Sequence, residues 1–406
     1  MLKANKRVWL VVLVGALGYF VDIYDLVLFS ILRVASLKDL QVPDKDLLDV
    51  GVLLLNSQMI GMLVGGVFWG IVGDKKGRLS VLFGSIFMYS LSNIANGFVE
   101  SVPAYAVLRF IAGLGLAGEL GAAITLVSEI LPKETRGYGT AIVASIGLSG
   151  AIAAGLTTDF LGWRASYWVG GGLGLFLLVL RLGTLESTLF SKLKHETHVK
   201  RGDLRMLFSN RERAMKYLYC ILIGIPIWYC AGILMTFSPE LGRELEILTP
   251  LIAGKSIMYS YVGVALGDLL SGLVSQWVKS RKKVVYACLA LELAIAVFLL
   301  TSRGLTSDGY YQVCFWIGLA TGYWAVFVTI AAEQFGTNLR ATVTTSVPNF
   351  VRGSVVPMTL TFRWLGGHTS LLTSALIIGV VVHAVAFLSA YRLHETHGRD
   401  LNFLEG

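Results

Sequence analysis

Charge is scarce in this sequence: Asp, Glu, Lys and Arg make up 15% of its 406 residues, against 55% hydrophobic residues and a mean hydropathy of +0.69. A soluble domain cannot hide that much apolar surface, which leaves a polytopic membrane protein. Proline is sparse, 8 in all, whereas the 45 glycines fall mostly inside the apolar stretches, where they let helices approach closely. The four cysteines, Cys220, Cys230, Cys288 and Cys314, have no metal-type spacing, so each is expected as a small buried hydrophobe. No Walker loop, Gly-x-Ser-x-Gly elbow, His-Glu-x-x-His or CxxC element occurs, which removes a visible ATP drive and any support for an enzyme. No cofactor and no metal site are expected.

A bilayer span needs roughly 20 mostly apolar residues. Twelve stretches qualify: 8–32, 50–72, 79–99, 104–131, 138–160, 166–184, 216–239, 252–278, 284–302, 310–333, 342–365 and 370–391. The first follows Lys3, Lys6 and Arg7, lacks a small-residue cleavage site and holds two Asp, so it reads as a retained helix and not a signal peptide. With the N-terminus cytoplasmic, Lys and Arg favour the inner segments roughly three to one, which places both termini inside. The +8 net charge then reports orientation, and the basic run Lys279–Lys283 is a stop at the inner surface, not a nucleic-acid patch. A multi-pass monomer in an inner or plasma membrane is expected, with the lipid bilayer as its surroundings.

The sequence SEILPKETRG at 128–137 has a weak copy 204 residues later, AEQFGTNLRA at 332–341. A second repeat aligns Gly61, Gly65 and Gly70 with Gly263, Gly267 and Gly272 at an offset of 202. Half-length repeats in an apolar chain point to two fused helical bundles related by pseudo-symmetry, with a site where they meet. The expected divisions are a first bundle at 1–184, a cytoplasmic linker at 185–215 containing His195 and His198, a second bundle at 216–391 and a tail at 392–406.

Two segments carry a specific likeness. GDKKGR at 73–78 resembles the loop between spans two and three of the major facilitator superfamily. LRFIAGLGLAGELGAAITLVSEILPKETRG at 108–137 is similar to spans four to five of its sugar-porter and metabolite–proton symporter branches. The resemblance implies an all-α membrane protein of twelve transmembrane helices in two pseudo-symmetric six-helix bundles. It also implies that Gly73, Asp74, Gly77, Arg78, Glu129, Arg136, Glu333 and Arg340 form a cytoplasmic latch that breaks when the inner face opens. The alternative for this set is a static surface ion-pair cluster worth ~0–1 kcal/mol per pair. The second copy replaces Asp74 by Gln276, so only the first half keeps the full loop chemistry.

Ionisable groups inside a span cost ~2.5–3.5 kcal/mol on insertion scales and usually face a cavity or a partner. Asp22 and Asp25 lie three residues apart on one helix face. Counted at 1.5 Å per residue, Asp25 and Arg109 come to similar depths in the outer half of the bilayer, within reach of each other. Asp25 resembles the Asp of the Gly-Tyr-Asp element of proton-coupled sugar porters, and Arg109 the partner Arg of their span four. Protonation of such an Asp releases the Arg and couples H⁺ to conformation; the competing reading is a fixed structural pair. Asp22 resembles the first Asp of an Asp-Gly-x-Asp element in aromatic-acid symporters, with Ile23 in place of the Gly. Glu119, mid-span, would face the same cavity as Asp22, or else hydrogen-bond to a neighbouring helix.

In the second half, Arg352 and Asp268 both fall near mid-bilayer, where Arg352 would pair with Asp268 or hold an anionic substrate group. Asn349 lies one turn before Arg352, and Pro348 and Pro357 flank it. Among the aromatics Trp228, Tyr229, Trp316, Tyr323 and Trp324, the last two sit on a glycine-broken helix and are the expected substrate walls, against a default of packing. Glu292, on a peripheral span, reads as structural. Span five (GLSGAIAAGL, 147–156) lacks the proline of the antiporter signature, which favours symport.

The expectation is an alternating-access transporter of a small polar metabolite, an organic acid first, driven by H⁺. The surplus of span acids leaves two alternatives, an exporter and a carrier of organic cations or metal ions. A non-transporting sensor is the remaining one.

Overall fold

The computed structural model describes residues 6–76, 78–118, 136–185 and 204–398, excepting the side chains of 6–11, 70, 73–76, 78–79, 82, 136–142, 144–145, 182–185, 204–205, 337–338 and 341. Helices account for nearly all regular structure among the described residues, and eight of them are long and apolar enough to cross a bilayer.

The first half comprises α1 (Lys6–Asp39), α2 (Leu47–Lys76), α3 (Arg78–Asn96), α4 (Val102–Leu116) and α5 (Arg136–Leu185). The last covers spans five and six in one run, turned by Gly162 at φ 77°, a backbone region glycine enters without penalty. The short α6 (Leu204–Phe208) precedes the second half. There follow α7 (Arg211–Leu222), α8 (Ile225–Tyr229), a π-helix (Cys230–Met235) and α9 (Ser238–Glu244). Then come α10 (Ala253–Trp277), α11 (Arg281–Thr301), α12 (Ser307–Thr321), α13 (Trp324–Glu333), α14 (Thr337–Gly353), α15 (Val355–Gly366) and α16 (Leu371–Arg392).

Some stretches that read as single spans are divided, and in span seven the divisions fall at prolines, which lack a backbone donor. Span seven, expected as 216–239, is divided among α7, α8, the π-helix and α9, with Pro226 and Pro239 at the starts of α8 and α9. Span eleven divides at Ser354 between α14 and α15, and Pro348 stays inside α14. Part of the expected linker is helical too: Asn210 caps α7, its Oδ1 accepting the Glu212 N–H at 2.9 Å. Residues 186–203, with His195 and His198, lie outside the described residues.

Within each half, helix packing repeats. The α2 helix lies against α4 as α10 lies against α12. A Cβ built on Gly61 would fall 2.1 Å from the Phe110 carbonyl oxygen, and one on Gly263 would fall 2.1 Å from that of Phe315. At Gly65 and Gly267 the same construction meets Leu114 and Leu319 at 2.4 and 2.2 Å. At these two of its three positions the glycine repeat is therefore a repeated helix contact that no larger residue fits, whereas a Cβ on Gly272 meets nothing. The halves meet where α5 packs on α10 and where α2 packs on α14 and α15.

Candidate functional site

A cavity of about 50 Å³ lies between the halves. Its walls come from α1 (Tyr19, Ile23, Leu26), the α8–π segment (Trp228, Cys230, Ala231), α10 (Ser260, Tyr261) and the break between α12 and α13 (Thr321, Trp324). Arg352 of α14 projects into it. Its guanidinium carbon lies 5.8 Å from the Trp228 ring centre and 5.7 Å from that of Trp324, within cation–π range of both. The Asp22 charge and the Tyr19 and Tyr261 hydroxyls act on it electrostatically. Arg352 Nε is buried and has no hydrogen-bond partner among the described residues. The result is a cation set between aromatic faces with donor capacity to spare, an arrangement suited to a planar carboxylate.

Asp268 is engaged with the backbone, and its charge also acts on Tyr19 of the cavity wall. Its Oδ1 accepts the Ala325 N–H at 3.0 Å, so it caps α13 where span ten breaks at Gly322. The cap satisfies a donor that the break exposes. Tyr323 is fully buried and its hydroxyl donates to the Ile223 carbonyl at 3.0 Å, so of the two expected wall residues only Trp324 lines the cavity. Asn349 lies away from the cavity lining and joins the halves, its Nδ2 donating to the Ala117 carbonyl of the first half at 3.2 Å.

Asp25 and Arg109 are both fully buried. Arg109 Nη1 donates to the Tyr167 hydroxyl at 3.3 Å and to Asn93 Oδ1 at 3.5 Å, and its guanidinium stands 5.7 Å from the Phe29 ring centre. The Asp25 charge also acts on Tyr167, which makes that tyrosine a residue both groups reach. Tyr167 in turn shares a 2.6 Å hydrogen bond with Tyr105, whose hydroxyl donates to Ser36. Glu119 lies outside the described residues.

Of the expected latch, Gly73, Asp74, Gly77, Arg78, Glu129 and Arg136 also lie outside the described residues or side chains. Glu333 is held by Arg281 at 2.6 Å, in a two-pronged contact completed by Nη2 at 2.8 Å. Arg340 donates to the Ala332 carbonyl at 3.1 Å. Arg281 belongs to the basic run that reads in sequence as an orientation signal. No group of three or more His, Cys, Asp or Glu among the described residues is placed to hold a metal ion.

Contacts without any sequence signal close the opposite face, where α1 ends and α2 begins. Arg33 Nη2 of α1 meets Glu240 Oε2 of α9 at 2.6 Å and donates to the Thr236 carbonyl at 3.2 Å. Arg363 pairs with Asp49, Thr359 donates to Asn56 Oδ1 at 2.7 Å, and Thr236 donates to Ser30 at 3.0 Å. All five join first half to second, and a small pocket of about 20 Å³ lies beneath them.

The profile of the Major Facilitator Superfamily matches residues 15–355. The Niacin transporter NiaP of Acinetobacter baylyi is 24% identical, over 96% of this chain and 94% of its own. The Cis,cis-muconate transport protein of the same species is 26% identical over 91% of each. Among solved structures, the D-xylose-proton symporter superposes with a TM-score of 0.71 at 17% identity, over 97% of this chain and 100% of that one. The inward open conformation of the xylose transporter XylE from E. coli gives 0.70 at 16%, over 97% and 98%. At such identities the structural likeness speaks for the fold. The matched profile spans most of the chain, and with the glycine seams and the cavity between two bundles it places this protein in the Major Facilitator Superfamily, as a multi-pass membrane transporter of small molecules and not an enzyme.

Proposed function

We propose that this transporter carries a small carboxylate with a planar unsaturated or aromatic body, in symport with H⁺ and by alternating access. The observation that carries the reading is Arg352, buried between Trp228 and Trp324 with an unpartnered Nε. An aromatic pair offers a planar ligand two faces, while the guanidinium orients its carboxylate. The niacin and cis,cis-muconate relatives act on compounds of that description.

Coupling runs through α1. While Asp22 is ionised its charge offsets that of Arg352; a proton on Asp22 frees the guanidinium for the incoming carboxylate. Asp25, Arg109 and Glu119 act as the supporting set, with Tyr167 between the first two. The face closed by Arg33 and Glu240 is the outer one, with both termini cytoplasmic. The set Gly73, Asp74, Gly77, Arg78, Glu129, Arg136, Glu333 and Arg340 latches the inner one.

The test is uptake of radiolabelled nicotinate and of cis,cis-muconate by proteoliposomes of the purified protein, with the membrane potential clamped. An inward proton gradient accelerates uptake of at least one of them, and Arg352→Gln lowers it roughly 10–100-fold, the value of a charged hydrogen bond. Indifference of both acids to the gradient sinks the symport reading. Calorimetric binding of an organic cation, with none for either acid, would replace it by the cation alternative.

A further inference from the structure

A second ionisable cluster lies behind the cavity, inside the second half. Glu292 on α11 and His383 on α16 are both fully buried, with His383 Nε2 3.5 Å from Glu292 Oε1. The same oxygen accepts the Cys230 thiol at 3.1 Å. Glu292 Oε2 has no hydrogen-bond partner among the described residues. His383 Nδ1 lies 2.7 Å from the Gly379 carbonyl, which can only accept, so that nitrogen carries a hydrogen. Nε2 therefore turns a lone pair toward the carboxylate unless a proton lies between them.

Among the described residues, Tyr229 and Cys230 from the seventh span, Cys288 from its own helix and Tyr323 from the α12–α13 break act electrostatically with Glu292, and Asp268 acts on Cys288 in turn. The tyrosines and cysteines are neutral forms at neutral pH. A bare carboxylate facing only a thiol and phenols would bear the full cost of a charge in the membrane interior. One proton on Glu292, turned toward the His383 Nε2 lone pair, removes the net charge.

Its connection to the cavity is Cys230, which lines the cavity and begins the π-helix. Such single turns are rare and concentrate at functional sites. Trp228, which flanks Arg352, lies two residues earlier. The Tyr229 ring stands edge-on to His383, and its hydroxyl donates to the Ala375 carbonyl at 2.8 Å, tying this segment to α16.

We propose that Glu292 and His383 form a proton-binding site of the second half, whose occupancy is sensed at the cavity wall through Cys230. Release leaves a Glu292 carboxylate and a neutral imidazole and sends the proton to cavity water; binding reverses this. The carboxylate strengthens the Cys230 thiol hydrogen bond and draws the π-helix toward α11, moving Trp228 relative to Arg352.

The test needs no substrate and so stands apart from the transport reading. Infrared difference spectra of the purified full chain in lipid nanodiscs are recorded between about pH 5 and about pH 8. A carboxyl stretch titrates in the wild type, is absent in Glu292→Gln and persists in Asp22→Asn and Asp25→Asn. His383→Gln moves its midpoint by about 1–3 pH units, the usual effect of a neighbouring charge. The part of the tryptophan fluorescence that is lost in Trp228→Phe follows the same midpoint and loses its pH response in Glu292→Gln. An unchanged carboxyl signal in Glu292→Gln overturns the proposal. So does an unmoved midpoint in His383→Gln, which decides the matter should Glu292→Gln fail to fold.

Discussion

Arg33 and Glu240 stand 207 residues apart in the chain and 2.6 Å apart in space, joining α1 of one half to α9 of the other. The Arg33 guanidinium also lies 4.7 Å from the Phe237 ring centre and donates to the Leu47 carbonyl at 3.3 Å. Removing one partner of a buried pair costs ~3–5 kcal/mol because the other charge is left without compensation. Here the chain has a way to relieve that cost, which is to part the halves and hydrate the charge. Glu240→Gln should therefore favour the state open on this face. A cysteine placed at Ser30 is expected to react with a membrane-impermeant maleimide at least tenfold faster in the Glu240→Gln background, a shift of about 1.4 kcal/mol. Equal rates would show that the pair does not hold the face shut.

Asp268 permits a cleaner separation of roles. As a helix cap it needs an acceptor oxygen and no charge, so Asp268→Asn should keep both thermal stability and transport. Asp268→Ala loses the acceptor for Ala325 N–H and should lower stability by ~0.5–2 kcal/mol, read as a fall in Tm. A transport defect in Asp268→Asn with an unchanged Tm would return this residue to the substrate or proton site.

The glycines of α10 are not equivalent. A methyl group on Gly263 collides with the Phe315 carbonyl oxygen, whereas nothing lies within 4 Å of a Cβ on Gly272. Gly263→Ala should force α10 from α12 and strongly reduce folded yield on size-exclusion chromatography. Gly272→Ala should be neutral or slightly stabilising, because it lowers unfolded-chain entropy.

Glu395, beyond the last helix, ties the tail to the start of α11. Partial burial pushes its pKa up, but the Ser280 hydroxyl and the N–H groups of His397, Arg281 and Lys282 outweigh that and bring it from 4.5 to about 2. The group is depressed on folding, so its stabilisation is present above pH 4.5 and is lost as pH falls toward about 2. The Tm gap between the wild type and Glu395→Gln should be largest near neutrality and shrink on acidification through that window. A gap independent of pH would mean the tail is held by shape and not by charge.

The sequence made the architecture readable because its signals are local and repeated. Apolar runs mark spans, and Gly61 and Gly263 mark the same backbone contact in both halves. That Arg352 faces a cavity was legible as well, since a lone Arg at mid-span needs a reason to be there. Partner choice was not. Glu333 precedes Arg340 in the repeat yet holds Arg281, because the ends of α11 and α13 meet only after the bundle packs. Asp268 looked like a partner for Arg352 for a related reason: its bond to Ala325 N–H depends on where span ten breaks, a tertiary fact. The π-helix left no mark in the apolar run around Cys230, so neither that residue nor His383 stood out, and Glu292 read as mere structure.

The seams at Gly61–Phe110 and Gly263–Phe315 set how the molecule can move. Backbones in contact without intervening side chains leave no soft layer in which α2 can slide over α4, or α10 over α12. Each pair is therefore a stiff unit. Under the proposed alternating access, a displacement of such a unit at one rim arrives at the other with its sign reversed, like the two ends of a seesaw.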